Sequence, residues 1–324
     1  MPKDWVDGRR AFAAELEGFL EGKSVGQLTQ VNAQLMRPIR IAVDGRPGVG
    51  RRTVARALSA RGVSVVDAGA EVRVLVIAET LKPEDRAELA ASDLPVLIVA
   101  NKADVCALAP GFCAPAPATD VVPMNGLLCT LTTLDDDVVA ALRTFVAVPP
   151  DLSSVDAFVT TAHPVERGLR ARLLDLLDRF GVGLAVEALA TGADPAAALE
   201  LLHRRSNVDA VLARLNAVAA PARYRRVQSA LADLRALAAS TDDERLWQFL
   251  AADATVAAQL PVALDVLEAA GWAVADVEQS LEPARRALHW DRQARGPLAA
   301  LPRACAADAV RGALRLLDQG QGRA

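Results

Sequence analysis

The chain has 324 residues, 52% of them hydrophobic, 23% charged and only 4% aromatic, which excludes a disordered chain and leaves room for about two domains with cores of Ala, Leu and Val. The 36 basic and 40 acidic residues give a net charge of −4 with no basic block, so no nucleic-acid partner is expected, because displacing counterions from phosphates takes clustered cations. Cys106, Cys113, Cys129 and Cys305 form no CxxC pair and lie far from His163, His203 and His289, so neither a metal site nor a disulfide framework is expected.

Residues 3–36 carry two helical stripes, Trp5, Phe12, Leu16, Phe19 and Leu20, then Leu28, Val31 and Leu35. The opening MPKDWVDGRR lacks the apolar core of a secretion signal, and no uninterrupted apolar run is long enough for a bilayer. A soluble, cytoplasmic chain is the expectation. Pro38 stops the second helix. The strand Ile39–Val43 follows, then a Gly-rich turn, Gly45–Gly50, and a helix over Thr53–Leu58. Val63–Val66 and Val72–Ala78 are strand-like runs, and Pro-Glu-Asp at 83–85 is good first-turn chemistry for a helix to about Ala91. The run Pro95–Ala100, the strand Val121–Met124 and a helix Asp135–Val146 complete an alternation that implies a parallel sheet covered on both faces.

Pro149-Pro150 reads as a boundary. Beyond it the strong patterns have helical period: Leu169, Leu173, Leu176, Leu177, Phe180 and Leu184, then Val208, Val211, Leu212, Leu215 and Val218, then Tyr224, Val227, Leu231, Leu234 and Leu237. The expected organisation is therefore a parallel-sheet domain over 37–148 and an all-helical bundle over 151–324, with the helices of 1–36 packed on that bundle.

Three segments carry chemistry. In IRIAVDGRPGVGRRTVARAL, Gly45, Gly48 and Gly50 have the spacing of a phosphate loop, where backbone N–H groups converge on phosphates in front of a helix N-terminus. Two positions depart from that pattern. Arg51 stands where the Lys belongs, and Arg52 where a Ser or Thr hydroxyl would hold Mg²⁺. Thr53 comes one residue late, about 100° further round the helix. A Gly-rich turn kept only for fold geometry is the bland alternative. The second segment, VLIVANKADV, ends a buried strand in Asn101-Lys102-Ala103-Asp104, the NKxD pattern of guanine recognition. There the Asp carboxylate accepts two hydrogen bonds from the base edge while the Lys stem lies along the base. A strand end capped by Asn is its alternative. The third, VSVVDAGAE, is a shortened DxxG with Asp67 in the metal-linked position; 13 residues separate Thr53 from Asp67 and four separate Asp67 from Val72. That leaves no chain for the switch segments that γ-phosphate and Mg²⁺ order.

With their flanks, these elements resemble the actinobacterial dynamin-like GTPases of the isoniazid-inducible (IniA/IniC) type. LTQVNAQLMRPIRIAVDG resembles that family's entry into the first strand, ETLKPEDRAEL its strand–helix after the switch region, and DVVPMNGLLCTLT its last strand and turn. LLDLLDRFGVGLAVEALATG, ALELLHRRSNVDAVL and ARRALHWDRQARGPL resemble its helical stalk and C-terminus. The resemblance implies a P-loop GTPase-like sheet domain followed by a dynamin-like bundle. It also implies GTP or GDP as ligand at Gly45, Gly48, Gly50, Arg51, Arg52, Thr53, Asp67, Asn101, Lys102 and Asp104. The departures fall where catalysis would be, so no catalytic residue is assigned and Mg²⁺ is not expected to be essential. The leading expectation is a pseudo-GTPase that partners an active dynamin-like paralogue or a second copy of itself, with peripheral contact at the inner face of the plasma membrane. A slow GTPase taking its missing groups in trans and a scaffold that binds no nucleotide are the alternatives. Leu246-Trp247-Gln248-Phe249-Leu250 reads as bundle core, with a membrane-touching tip as the family-based alternative.

Overall fold

A computed structural model describes residues 7–21, 26–103 and 121–321. Two helices, α1 (Arg9–Leu20) and α2 (Gly26–Met36), lead into the strand β1 (Arg40–Asp44). Then come α3 (Arg51–Ala60), β2 (Ser64–Val65), β3 (Val72–Ile77), α4 (Pro83–Ala90), β4 (Val96–Asn101), β5 (Val121–Met124), α5 (Gly126–Cys129) and α6 (Asp136–Ala147). The five strands form one sheet in the order β2-β1-β3-β4-β5, every neighbouring pair parallel. The strand sequences explain this: Val72, Val74, Leu75, Val76, Leu97 and Val99 are fully buried, so that apart from Arg73 the strands carry the near-continuous apolar run of a sheet covered on both faces. α4 begins with Pro83 at its first turn, and the Asp85 carboxylate accepts the Lys82 backbone N–H at 2.9 Å.

Every element described after β5 is helical: α7 (Val155–Thr160), α8 (Arg167–Ala190, kinked at Asp178), α9 (Pro195–Arg205), α10 (Val208–Val218), α11 (Ala220–Thr241), α12 (Glu244–Ala251), α13 (Asp253–Ala257), α14 (Leu260–Ala269), α15 (Val274–Ser280), α16 (Pro283–Ala294) and α17 (Ala300–Gln321). An α/β sheet region together with extensive helix is thus the architecture.

The chain divides into two compact units, one of residues 40–215 and one of residues 1–39 with 216–324. This differs from the boundary expected at Pro149-Pro150. Those prolines end a helix, but the core runs on past them. Leu142 and Phe145 of α6 share a buried cluster with Phe158, Leu173, Leu177, Val182 and Leu202, and the Phe145 and Phe158 rings meet edge-on at 5.6 Å. The junction of α9 and α10 is fastened to the end of β5: Asn125 N–H donates to Ser206 O at 2.9 Å, and Asn207 Nδ2 donates to Pro123 O at 2.7 Å. His203, in the last turn of α9, bonds Leu131 O through Nε2 at 2.8 Å.

The other unit is helical. Phe12, Leu16, Leu28 and Leu35 of the N-terminal helices share its core with Tyr224, Leu231, Val266 and Trp290. Leu246 and Phe249 are buried there, while Trp247 is 40% exposed. No single described helix is long and apolar enough to cross a membrane; the bent pair Glu244–Ala251 and Asp253–Ala269 reaches that length and composition only in combination.

Candidate functional site

In an open parallel sheet the ligand crevice lies outside the carboxyl ends of the strands, where the order reverses. Here that point falls between β1 and β3, and the Gly45–Gly50 turn leaves β1 beside it. A Cβ on Gly45 would stand 2.4 Å from Val76 O, so the turn begins with its backbone pressed against β3. Gly48 and Gly50 both have φ of +87°, the left-handed region in which a Cβ is strained. Gly50 caps α3, and a Cβ there would meet Asn101 Nδ2 at 2.2 Å. Glycine is required at this position by conformation and by space together.

Asn101 ends β4 and is only 3% exposed. Its Nδ2 donates to Val49 O at 2.9 Å, and its Oδ1 accepts the Gly126 N–H at 3.0 Å. One side chain therefore joins the turn after β1, the end of β4 and the start of α5. Lys102, with a positive φ of 58°, extends from the strand end over the turn, where its Nζ donates to Gly48 O at 3.2 Å. The structure thus brings Gly45, Gly48, Gly50, Asn101 and Lys102 together at one edge of the sheet. Arg51 and Arg52, the first residues of α3, are exposed there, with no hydrogen bond or ion pair among the described residues. Thr53 follows, its Cγ2 turned toward Gly126. Asp104 lies outside the described residues, as do Cys106 and Cys113.

Asp67 is not brought to this edge. β2 is two residues long; Val66 N–H donates to Ile41 O at 2.9 Å and Glu71 N–H to Arg40 O at 2.8 Å. The chain between them turns at the amino end of β1, whereas the Gly-rich turn leaves after Asp44, three residues further on and roughly 10 Å away at strand rise. The connection is too short to carry Asp67 up the sheet.

Two arrangements escape sequence reasoning. Within the turn, Arg46 Nε donates to the buried Asp85 carboxylate at 2.9 Å, which holds the guanidinium above its ordinary pKa and ties the turn to α4. Arg73 of β3 bridges Asp44 at 2.8 Å and Glu88 at 2.7 Å. Only Arg46, set between the glycines, could have signalled an anchor; its partner is 39 residues away.

The assembled edge offers backbone N–H groups at the start of a 10-residue helix, the Lys102 ammonium and two uncommitted guanidiniums. That is a donor set for an oxyanion. It does not suit a divalent cation, since Arg52 stands in the hydroxyl position and Asp44 is committed to Arg73. Cys129 and Cys305 are buried core residues; burial raises the Cys129 thiol and pushes Cys305 up to about 12, so neither is a nucleophile at neutral pH. Comparison with protein-family models, curated proteins and solved structures finds no match.

Proposed function

We propose that this chain is a dynamin-like protein with a degenerate GTPase domain, which binds a guanine nucleotide at the Gly45–Thr53 turn and hydrolyses it little or not at all. The observation that carries this reading is the clamp of Asn101 on Val49 and of Lys102 on Gly48, because it sets the strand end bearing the NKxD pattern directly against the Gly-rich turn. In this reading the turn and α3 receive the phosphates, Arg51 and Arg52 neutralise part of their charge, and Asp104 pairs with the guanine edge. The γ-phosphate lacks a metal hydroxyl at position 52 and switch segments to align water, and these losses together cost several orders of magnitude in rate. The protein then acts by association, with an active dynamin-like paralogue or with itself, at the inner face of the membrane.

The test is binding of fluorescent GDP and ATP, followed by single-turnover hydrolysis with and without Mg²⁺. Expected are preference for GDP over ATP, binding that persists in chelator, a shift toward xanthine nucleotides in Asp104→Asn, and no turnover even in the Arg51→Lys/Arg52→Thr variant. Equal or tighter binding of ATP removes Asn101–Asp104 from the site. Mg²⁺-dependent turnover at the rate of an ordinary GTPase of this type overturns the pseudoenzyme reading.

One observation favours a second reading, a scaffold without nucleotide. Asn101 spends both ends of its amide on the fold, and a buried amide that is satisfied needs no ligand. Nucleotide released from the purified, heat-denatured protein separates the two readings.

A further inference from the structure

The helical unit contains a cavity of about 680 Å³ bounded by α11, the α12–α13 segment and α17. Its wall carries three guanidiniums, Arg235, Arg311 and Arg315, beside three aliphatic side chains, Leu250, Val256 and Leu314. None of the described lining residues is acidic.

The cations are unequally committed. Arg311 gives one nitrogen to Asp308, a carboxylate 4% exposed that also accepts from Tyr224 Oη at 2.7 Å and Gln228 Nε2 at 3.1 Å. Arg315 Nη1 lies 3.1 Å from Asp253. Arg235 has no hydrogen bond or ion pair among the described residues. Two carboxylates thus answer three guanidiniums, and one positive charge is left over. A guanidinium carries five N–H donors, so Arg311 and Arg315 also retain most of theirs. The other polar lining residues are occupied, Gln228 with Asp308 and Gln259 with Thr255 O at 3.2 Å. Between Arg311 and Arg315 on the same helix stands Leu314, 46% exposed. Aliphatic surface left in water beside unspent donors calls for a ligand with both characters.

We propose that this cavity binds one small amphiphilic anion, its carboxylate or phosphate monoester on Arg235, Arg311 and Arg315 and its alkyl chain against Leu250, Val256 and Leu314. The volume lies in the ~300–1,000 Å³ range of small-molecule sites and is far larger than a bare oxyanion needs. The head provides what Arg235 lacks, and the tail removes Leu314 from water.

The test is calorimetry on the full chain with dodecanoate and dodecyl phosphate below their micelle concentrations, and with dodecanol and inorganic phosphate as single-character probes. Saturable binding of either dodecyl anion, one per chain and weakened by salt, supports the proposal. Dodecanol is expected to bind at least ~10-fold more weakly, and Arg235→Gln to weaken the anions ~10-fold without affecting dodecanol. Leu314→Asn weakens anions and alcohol alike. Both positions are exposed, and unchanged thermal unfolding without ligand shows that the variants are folded. Three results overturn the proposal: no saturable binding, inorganic phosphate as tight as dodecyl phosphate, or affinity unchanged in Arg235→Gln. Flotation with phosphatidylglycerol vesicles separates the sources; capture of wild type but not of Arg235→Gln, with no uptake of the free anions, assigns the charge to a membrane surface and overturns the cavity.

Discussion

The Asn101 amide has its two ends on different segments, and their loss is not symmetric with their gain. Asn101→Ala leaves the Val49 carbonyl and the Gly126 N–H buried without partners, and each such group costs about 1–3 kcal/mol. Asn101→Ala is therefore expected to destabilise the sheet unit by roughly 3 kcal/mol in urea unfolding. Gly50→Ala should cost a similar amount, because a left-handed φ and a 2.2 Å approach to Asn101 must both be relieved. Arg51→Ala has the opposite profile. The side chain is exposed and makes no described contact, so unfolding should stay within about 0.5 kcal/mol of wild type while guanine-nucleotide affinity falls about tenfold. Equal losses in stability and binding would make Arg51 a structural residue. The glycine spacing and the Asn-Lys pair were legible in the sequence because they lie within short windows at strand ends. The anchors Arg46–Asp85 and Arg73–Asp44–Glu88 were not, since ion pairs between distant segments leave no local pattern.

At the scale of elements, sequence pattern located all five strands within a residue or two but was silent on where β2 ends in the sheet. The strand-like run Val63–Val66 predicts a strand of four, yet only Ser64 and Val65 pair, because Val66 is followed at once by the turn back to Glu71. That shortness, not the identity of the acid, keeps Asp67 from the Gly-rich turn. The helices were legible by period, but their allegiance was not. Leu173 and Leu177 of α8 read as bundle stripe and lie instead in the core shared with α6. A helical stripe states that one face is buried, never against which partner. Phe158 tests this assignment. It is fully buried against Phe145, so Phe158→Ala should cost about 3–5 kcal/mol. Hydrogen exchange should show the loss in the amides of β4 and α6, which unfold with the same unit. Protection lost only beyond residue 150 would restore the boundary at Pro149-Pro150.

On the scale of the molecule, the sheet unit is an insertion in the helical one, whose two segments lie on either side of residues 40–215. The expectation that the N-terminal helices pack on the C-terminal helices rested on their apolar faces. What fixes them includes a buried ionic cluster that no pattern announces. Gly8 N–H donates to Asp265 at 3.3 Å, with the Val262 backbone so close that a Cβ on Gly8 would stand 2.6 Å from its nitrogen. Arg9 pairs with Asp7 at 2.6 Å and bonds Leu35 O at 2.9 Å, and Arg223, 3.9 Å from Asp7, is 3% exposed. Burial pushes the Asp265 carboxyl up to about 6 despite the opposing pull of Arg223, and lowers Arg223 to about 10. Asp7 is held below its ordinary value, its burial outweighed by hydrogen bonds from Arg9 and the charges of Arg9 and Arg223. The two acids therefore act in opposite senses. Asp7 contributes stability above its unfolded pKa that is lost as pH falls through its lower folded value. Asp265, raised in the folded state, contributes stability that is complete below about pH 4 and lost as pH rises through about 6. At neutral pH its charge is a net cost to the helical unit, up to ~3 kcal/mol at 1.36 kcal/mol per pH unit. Asn has the shape of the protonated acid and keeps an oxygen for the Gly8 N–H. Asp265→Asn is therefore expected to unfold at higher temperature than wild type at pH 8 and at nearly the same temperature at pH 4.5, with the difference opening between pH 5 and 7. Melting curves of the two proteins across that range decide it: a difference that is flat with pH, or one that favours wild type at pH 8, would mean that Asp265 is charged without penalty and that its pairing with Arg223 holds the N-terminal helices in place.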